Sequence, residues 1–250
     1  MRKSILGLSA LALLASAAPA FAQDEEAASP ITITGSVALV SDYRFRGFSQ
    51  TQQDAAVQGG ITATHESGLY VGTWGSSINF ANSNLSSEID IFAGWSKAVA
   101  EGVTVDVGLL YYLYPKHKSV TGDINTDFFE PYVNVIAAIG PATLKVGANY
   151  AWSQDALTSF KDGKSTDAIY LHAEPSMAIP GTPFGVNGHL GYASSDAFPG
   201  GTDGKVWDWS LGGTATYKNI TFGVSYVDTD EPGQIKGSDA AVVFSLTAAF

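Results

Sequence analysis

The fold is decided by the stretch Ile31-Thr32-Ile33-Thr34-Gly35-Ser36-Val37-Ala38-Leu39-Val40, which alternates apolar and polar side chains with a period of two. A strand places successive side chains on opposite faces, so this alternation predicts a strand with one apolar and one polar face. The pattern continues beyond Val40, with aromatic side chains on the apolar face and charged side chains on the polar face: Tyr43 and Phe45 on the first, and Asp42, Arg44 and Arg46 on the second. The first predicted strand therefore runs from Ile31 to about Arg46.

The same alternation recurs along the rest of the chain. It predicts eleven further strands, at about 57–65, 69–80, 87–98, 103–114, 127–138, 142–153, 167–177, 184–194, 207–217, 220–228 and 238–250. Their connections are alternately long and short, which is typical of outer-membrane barrels with short periplasmic turns and longer outer loops. We therefore predict an all-β fold: a single antiparallel up-and-down transmembrane β-barrel of about 12 strands, over residues 31–250.

The N-terminus has the pattern of a bacterial secretory signal peptide. Arg2 and Lys3 are basic, residues 5–18 are apolar, and Ala20-Phe21-Ala22 is a small-x-small cleavage site. We predict a cleaved signal peptide over 1–22 and a short periplasmic segment over 23–30. The barrel that follows is expected in the outer membrane of a Gram-negative bacterium.

Composition excludes several classes of protein. The 250 residues include 13 Lys and Arg against 24 Asp and Glu, a formal charge of −11, so no nucleic-acid partner is expected. The chain has no cysteine, which rules out disulfides, thiolate metal sites and a cysteine nucleophile. After the signal peptide no window approaches 18 consecutive apolar residues, which excludes a protein that spans the membrane with helices.

Aromatic side chains on the apolar faces indicate contact with a membrane. Amphipathic rings gather at the two lipid–water interfaces of outer-membrane barrels. The predicted interface aromatics are Tyr43, Phe45, Trp74, Trp95, Trp152, Trp207, Trp209 and the terminal Phe250.

The polar faces predict a hydrated interior with charges of both signs. The candidate lumen and selectivity residues are Asp42, Arg44, Arg46, Glu88, Asp90, Asp106, Glu130, Lys145, His172, Glu174, His189 and Asp208. Two interpretations stay open: these charges set the ion selectivity of a channel, or they neutralise one another and hold the shape of the barrel. The acid excess predicts a weak preference for cations.

No catalytic, cofactor-binding or metal-binding residues are predicted. His172, Glu174 and His189 point inward from neighbouring predicted strands, so they form either a metal or acid–base site or a polar hydrogen-bond network. Nothing in the sequence matches a nucleophile elbow followed by a helix, a phosphate-binding glycine loop or a dinucleotide fingerprint.

Part of the chain resembles a known family. The segments at 41–51, 56–60, 67–76 and 88–95 include Tyr43-Arg44-Phe45-Arg46-Gly47 and Ile91-Phe92-Ala93-Gly94-Trp95, and they resemble the TorF family of proteobacterial porins. The likeness is strong over 36–95, and beyond that it is one of strand pattern and length. The resemblance implies an outer-membrane barrel acting as a diffusion channel, without catalytic residues.

Together these patterns predict a porin-like channel for passive diffusion of small hydrophilic solutes or ions. A non-conducting structural or adhesive barrel, an outer-membrane enzyme and a soluble secreted β-sandwich are the alternatives. The expected partners are outer-membrane lipid and lipopolysaccharide, the diffusing solutes, and the barrel-assembly machinery, which would recognise the last strand ending in Phe250.

Overall fold

The computed structural model describes residues 29–80, 85–115, 126–201, 203–231 and 237–250. The predicted signal peptide and most of the predicted periplasmic segment lie outside the described residues. The strands are β1 (Ile31–Val40), β2 (Arg44–Phe45), β3 (Phe48–Ser49), β4 (Ala56–His65), β5 (Leu69–Ser77), β6 (Ser87–Ala100), β7 (Val103–Leu113), β8 (Phe128–Ile139), β9 (Ala142–Ala151), β10 (Ala168–Ala178), β11 (Phe184–Ser195), β12 (Lys205–Tyr217), β13 (Ile220–Thr229) and β14 (Ala241–Ala249).

Twelve of these strands form a closed antiparallel barrel. Neighbours in sequence pair from β4 through β14, and β1 pairs with both β4 and β14. The terminal residue completes the closure, because the Phe250 and Gly35 backbones exchange hydrogen bonds of 2.8 and 2.9 Å. The predicted all-β barrel of twelve strands is confirmed.

The two ends of the barrel differ in the length of their connections. The short-turn end carries the turns at 66–68, 101–102, 140–141, 179–183 and 218–219, together with the start of β1 and the C-terminus. The long-loop end carries the connections that begin after β1, β5, β7, β9, β11 and β13. The predicted alternation of long and short connections is therefore confirmed. Within the stretches that the structure describes, no helix is long and apolar enough to cross a membrane.

The outer surface of the barrel is apolar. Large hydrophobic side chains at every second position of the strands are exposed, among them Val37, Leu39, Ile61, Val71, Ile91, Leu109, Val133, Leu171, Leu190, Leu211, Phe222, Val224, Phe244 and Leu246. A soluble protein rarely exposes so large a continuous apolar surface, whereas a barrel in a lipid bilayer requires one.

The first strand is shorter than the sequence predicts. β1 ends at Val40, and the chain then leaves the barrel wall and forms a small separate sheet of β2 and β3. Arg46 and Gly47 form the two-residue turn of this sheet with φ angles of 49° and 84°, and positive φ at both central residues is the geometry of a type I′ hairpin. The prediction that Arg44 and Arg46 lie on the first barrel strand is therefore wrong.

Candidate functional site: the barrel interior

The hairpin after β1 folds into the barrel at the long-loop end. We call residues 42–53 the inward hairpin. The Gly47 backbone at its tip lies against Thr229 of β13 and Asp208 of β12, because a Cβ atom added to Gly47 would overlap Thr229 and approach the Asp208 Cβ to 2.9 Å. Only glycine fits this close approach with a positive φ.

Arg46 fixes the tip of the inward hairpin to the opposite wall. Its Nη2 atom donates to both carboxylate oxygens of Glu130, at 2.8 and 2.7 Å. The guanidinium also lies over the rings of Tyr170 and Phe45, with distances to the ring centroids of 4.2 and 4.7 Å. Burial opposes the charge on Arg46, but the Glu130 carboxylate together with Tyr112 and Tyr170 outweighs burial and raises the pKa of Arg46 above its ordinary value.

Arg44 fixes the base of the inward hairpin. Its Nε donates to Asp42 at 2.6 Å, and its Nη1 donates to the backbone carbonyls of Gly47, Gly237 and Asp239 at 3.0, 2.7 and 3.0 Å. The hairpin is thus tied to the segment before β14 as well as to itself.

Aromatic contacts pack the hairpin tightly at the long-loop end. The Phe48 ring meets Phe198 edge to face at 5.2 Å, and Phe45 meets Tyr112 in the same way at 5.9 Å. Phe48 also packs in a buried cluster with Tyr170, Ala193 and Val206. In the part that the structure describes, the half of the barrel next to the long-loop end is therefore largely filled with side chains.

The interior is asymmetric. The inner face of β5–β10, which we call the crowded wall, carries large buried rings: Tyr70, Trp74, Phe92, Tyr112, Tyr132 and Tyr170. The inner face of β11–β14, β1 and β4, which we call the open wall, carries small polar side chains that are half-exposed inside the barrel: Thr34, Ser36, Gln58, Asn187, Ser210, Thr214, Ser225 and Ser245. Solvent therefore reaches the interior along the open wall.

Three basic side chains inside the barrel each face a carboxylate. Besides Arg44–Asp42 and Arg46–Glu130, Lys145 Nζ lies 2.7 Å from Glu174 Oε2. Glu174 also lies 2.9 Å from Nδ1 of His172. Each of these basic side chains is thus neutralised by a carboxylate, which is what one of the two interpretations of the sequence predicts.

Four further buried carboxylates have no lysine or arginine partner among the described residues: Glu88, Asp90, Asp106 and Asp208. Asp106 accepts hydrogen bonds from the Tyr70 hydroxyl at 2.6 Å and from Asn134 at 3.0 Å. Asp208 accepts from the Tyr170 hydroxyl at 2.9 Å and lies 2.9 Å from Nε2 of His189. In the described interior, carboxylates therefore outnumber the side chains of lysine and arginine.

His172 and His189 belong to a polar network. The rings of Tyr170, His172 and His189 stack, with centroids 5.7 to 6.4 Å apart. His172 faces Glu174, whereas His189 faces Asp208 and the Tyr170 hydroxyl. In the described part of the chain, no three His, Asp or Glu side chains are grouped to hold a metal ion.

The structure places the predicted lumen residues inside the barrel. Glu88, Asp90, Asp106, Glu130, Lys145, His172, Glu174 and Asp208 are buried on inner faces, and His189 is half-buried there. Asp42, Arg44 and Arg46 are also inside, but they reach this position through the inward hairpin and not through a barrel strand.

Three of the predicted interface aromatics are in the interior. Trp74 is 4% exposed and meets the Tyr43 ring edge to face at 5.5 Å, and Phe45 packs against Tyr112. Tyr43 and Phe45 turn inward because they belong to the inward hairpin, whereas Trp74 lies on the inner face of β5, whose outer face carries Leu69 and Val71. The prediction that these three rings face lipid is wrong.

The other predicted interface aromatics lie on outer faces. Trp152 and Trp207 are exposed at the long-loop end, Trp95 and Trp209 are half-exposed, and Phe250 is exposed at the short-turn end. Trp152 stacks on Phe129 with centroids 6.0 Å apart, and Phe129 stacks on Tyr111 at 4.4 Å. Such a row of outward rings near the end of the strands suits the lipid–water interface.

Sequence reasoning missed the interior tyrosines, although the signal was present. Tyr112 shares a face of β7 with Asp106, Tyr132 shares a face of β8 with Glu130, and Tyr170 shares a face of β10 with His172. The Tyr70 and Tyr132 hydroxyls contact each other from β5 and β8, and Tyr70 also binds Asp106. These rings are what narrows the lumen at the crowded wall.

A substitution at Gly191 of β11 tests how closely the Tyr170 and Asp208 side chains pack inside the barrel. A Cβ atom there would overlap the Tyr170 hydroxyl and the Asp208 carboxylate, whereas one at Gly213 of β12 meets nothing closer than 3.8 Å. We expect Gly191→Ala to lower the free energy of unfolding by about 1–3 kcal/mol, as overpacking does. Gly213→Ala is the matched control, and equal urea midpoints for the two variants in detergent would contradict this geometry.

Comparison with known proteins gives a family and a fold. A family model described as a bacterial protein of unknown function (Gcw_chp) matches residues 24–250. The structure resembles the NanC porin, with 13% sequence identity, a TM-score of 0.56 and coverage of 87% of this chain and 98% of that one. It also resembles the KdgM porin in complex with disordered oligogalacturonate, with 6% identity, a TM-score of 0.57 and coverage of 88% and 98%. No curated protein sequence matches significantly.

Proposed function

We propose that this chain, which belongs to the Gcw_chp family of bacterial proteins, is an outer-membrane channel for passive diffusion of small hydrophilic solutes or ions. The observation that carries the proposal is the closed barrel with an apolar exterior and a solvent-exposed open wall inside. A wall of small polar side chains offers water and solutes hydrogen bonds without blocking the way. The porin folds of NanC and KdgM agree with this function.

The setting of this channel is the outer membrane of a Gram-negative bacterium. The apolar exterior would contact lipid and lipopolysaccharide, and the last strand, β14, would be recognised by the barrel-assembly machinery. The short-turn end would face the periplasm, as in barrels of this kind. The resemblance to the TorF porins over 36–95 fits the same proposal, and no catalytic role is proposed.

The inward hairpin is the constriction of the proposed channel. It crosses the lumen near the long-loop end and reaches Glu130 of β8, Tyr170 of β10 and Asp208 of β12. Solutes that enter from the long-loop end meet the hairpin first and then pass along the open wall. The hairpin therefore sets the size limit, while the barrel wall keeps its shape.

Solute uptake into liposomes tests this function. Protein refolded into liposomes is expected to admit small sugars and amino acids, and the rate should fall steeply with solute size because the inward hairpin narrows the path. Liposomes with heat-denatured protein are the control. Swelling rates equal to those of the control for every solute, in samples that contain folded barrel, would favour a non-conducting structural barrel.

A further inference from the structure

Two carboxylates stand side by side on the inner face of β6. Glu88 and Asp90 are 2% and 3% exposed, and their i, i+2 spacing places both side chains on the same face of the strand. They lie close to the long-loop end of the barrel. Two like charges so near each other in a buried place repel strongly unless something neutralises them.

The described side chains around Glu88 and Asp90 supply only part of the hydrogen bonds and none of the positive charge that two buried carboxylates require. Glu88 Oε1 accepts a weak hydrogen bond from the Tyr114 hydroxyl at 3.3 Å. Glu88 Oε2 and Asp90 Oδ1 have no hydrogen-bond partner, although both atoms are buried. Over the described ranges, no lysine or arginine forms an ion pair with either residue, since Arg44, Arg46 and Lys145 each face another carboxylate. By contrast, Asp106 and Asp208 receive good hydrogen bonds.

Two tyrosine side chains, those of Tyr43 and Tyr114, lie beside the carboxylate pair. Tyr43, from the inward hairpin, packs on Trp74, which pairs with Asp90 across β5 and β6. The Tyr114 hydroxyl lies 3.3 Å from Glu88 Oε1, and the Tyr43 hydroxyl also faces the Glu88 carboxylate. Two neutral hydroxyl oxygens therefore lie beside the carboxylate pair.

We propose that Glu88 and Asp90 bind a hard divalent cation of the Ca²⁺ class, with the Tyr43 and Tyr114 hydroxyls beside it. Carboxylate and hydroxyl oxygens are the donors that Ca²⁺ and Mg²⁺ prefer, and no sulfur ligand is present to favour a softer metal. The cation supplies the positive charge that the described side chains do not. Because Tyr43 belongs to the inward hairpin, the bound cation ties the base of the hairpin to β6.

Terbium luminescence tests the site directly. Tb³⁺ substitutes for Ca²⁺, and Trp74 and Tyr43 lie where excitation of their rings can sensitise it. Protein refolded in detergent without lipopolysaccharide and stripped with chelator is expected to show Tb³⁺ emission that Ca²⁺ reverses. The variant Glu88→Gln/Asp90→Asn is expected to bind Tb³⁺ at least tenfold more weakly. Asp106→Asn, which alters an interior carboxylate that is already hydrogen-bonded, is the control and should bind as the wild type does.

A second measurement needs no variant. Ca²⁺ is expected to raise the unfolding temperature of the stripped wild-type barrel, because a ligand that binds only the folded state stabilises it. Absence of both the Tb³⁺ signal and this shift would overturn the site, as would equal Tb³⁺ affinity in the wild type and in a folded double variant. Neither readout depends on conduction, so the cation site and the channel can fail independently of each other.

Discussion

Replacing residues 44–49 with two glycines is expected to raise the single-channel conductance severalfold. The change removes β2, β3 and the turn at Arg46. It also removes the contacts that fill the lumen near the long-loop end. Gln50 donates its backbone N–H to the Tyr43 carbonyl at 2.7 Å, so these two residues already stand close enough for a two-residue link. The barrel strands keep their pairing, and the measurement is conductance in planar bilayers.

The matched control shortens an outer loop that does not enter the lumen. Ser159 N donates to the Lys164 carbonyl at 2.8 Å, so two glycines can replace residues 160–163 in the same way. This control should conduct as the wild type does. An unchanged conductance in the 44–49 variant, with the folded form verified by its faster migration before boiling, would show that the inward hairpin is not the constriction.

A preference for cations is the second effect that we expect. Every described interior lysine and arginine is neutralised by a carboxylate, whereas Glu88, Asp90, Asp106 and Asp208 have no such partner. In a narrow lumen, those of these carboxylates that are ionised and hold no bound cation focus a negative potential, which attracts cations and repels anions. The reversal potential in a salt gradient should therefore have the sign of a cation-selective channel, and the selectivity should weaken at high salt because of screening.

Asp208→Asn is the variant that tests the source of this selectivity. Asp208 lies on the inner face of β12, which is part of the open wall, beside the half-exposed His189 and the hairpin tip at Gly47. We expect its neutralisation to lower the cation-to-anion permeability ratio. Asp162→Asn, in an exposed outer loop, removes the same charge outside the lumen and should change the ratio little. Anion selectivity in the wild type would contradict the charge argument.

The barrel itself could be predicted from the sequence because lipid and water impose one rule on every strand. Residues such as Leu109, Val133 and Phe222 must face outward, and their polar neighbours must face inward, so the alternation repeats in all twelve strands. The inward placement of Glu88, Asp106 and Lys145 follows from that rule. Loop lengths then give the order and direction of the strands.

The contacts inside the barrel could not be predicted, because they join residues far apart in sequence. The alternation of aromatic and charged residues continues from Tyr43 to Arg46, but the chain has already left the wall, and the contact between Arg46 and Glu130 joins positions 84 residues apart. The inward position of Trp74 is unpredictable for a related reason. β5 carries large apolar groups on both faces, so only the three-dimensional packing, such as that of Trp74 on Tyr43, shows which face is inside.

Conductance of the refolded wild-type protein in a planar bilayer tests the central claim most directly. A channel lined by the open wall and narrowed by the inward hairpin should give discrete current steps, small in the wild type and larger when residues 44–49 are replaced. Folded wild-type protein that inserts into the bilayer and yields no steps at any salt concentration or voltage would contradict the account.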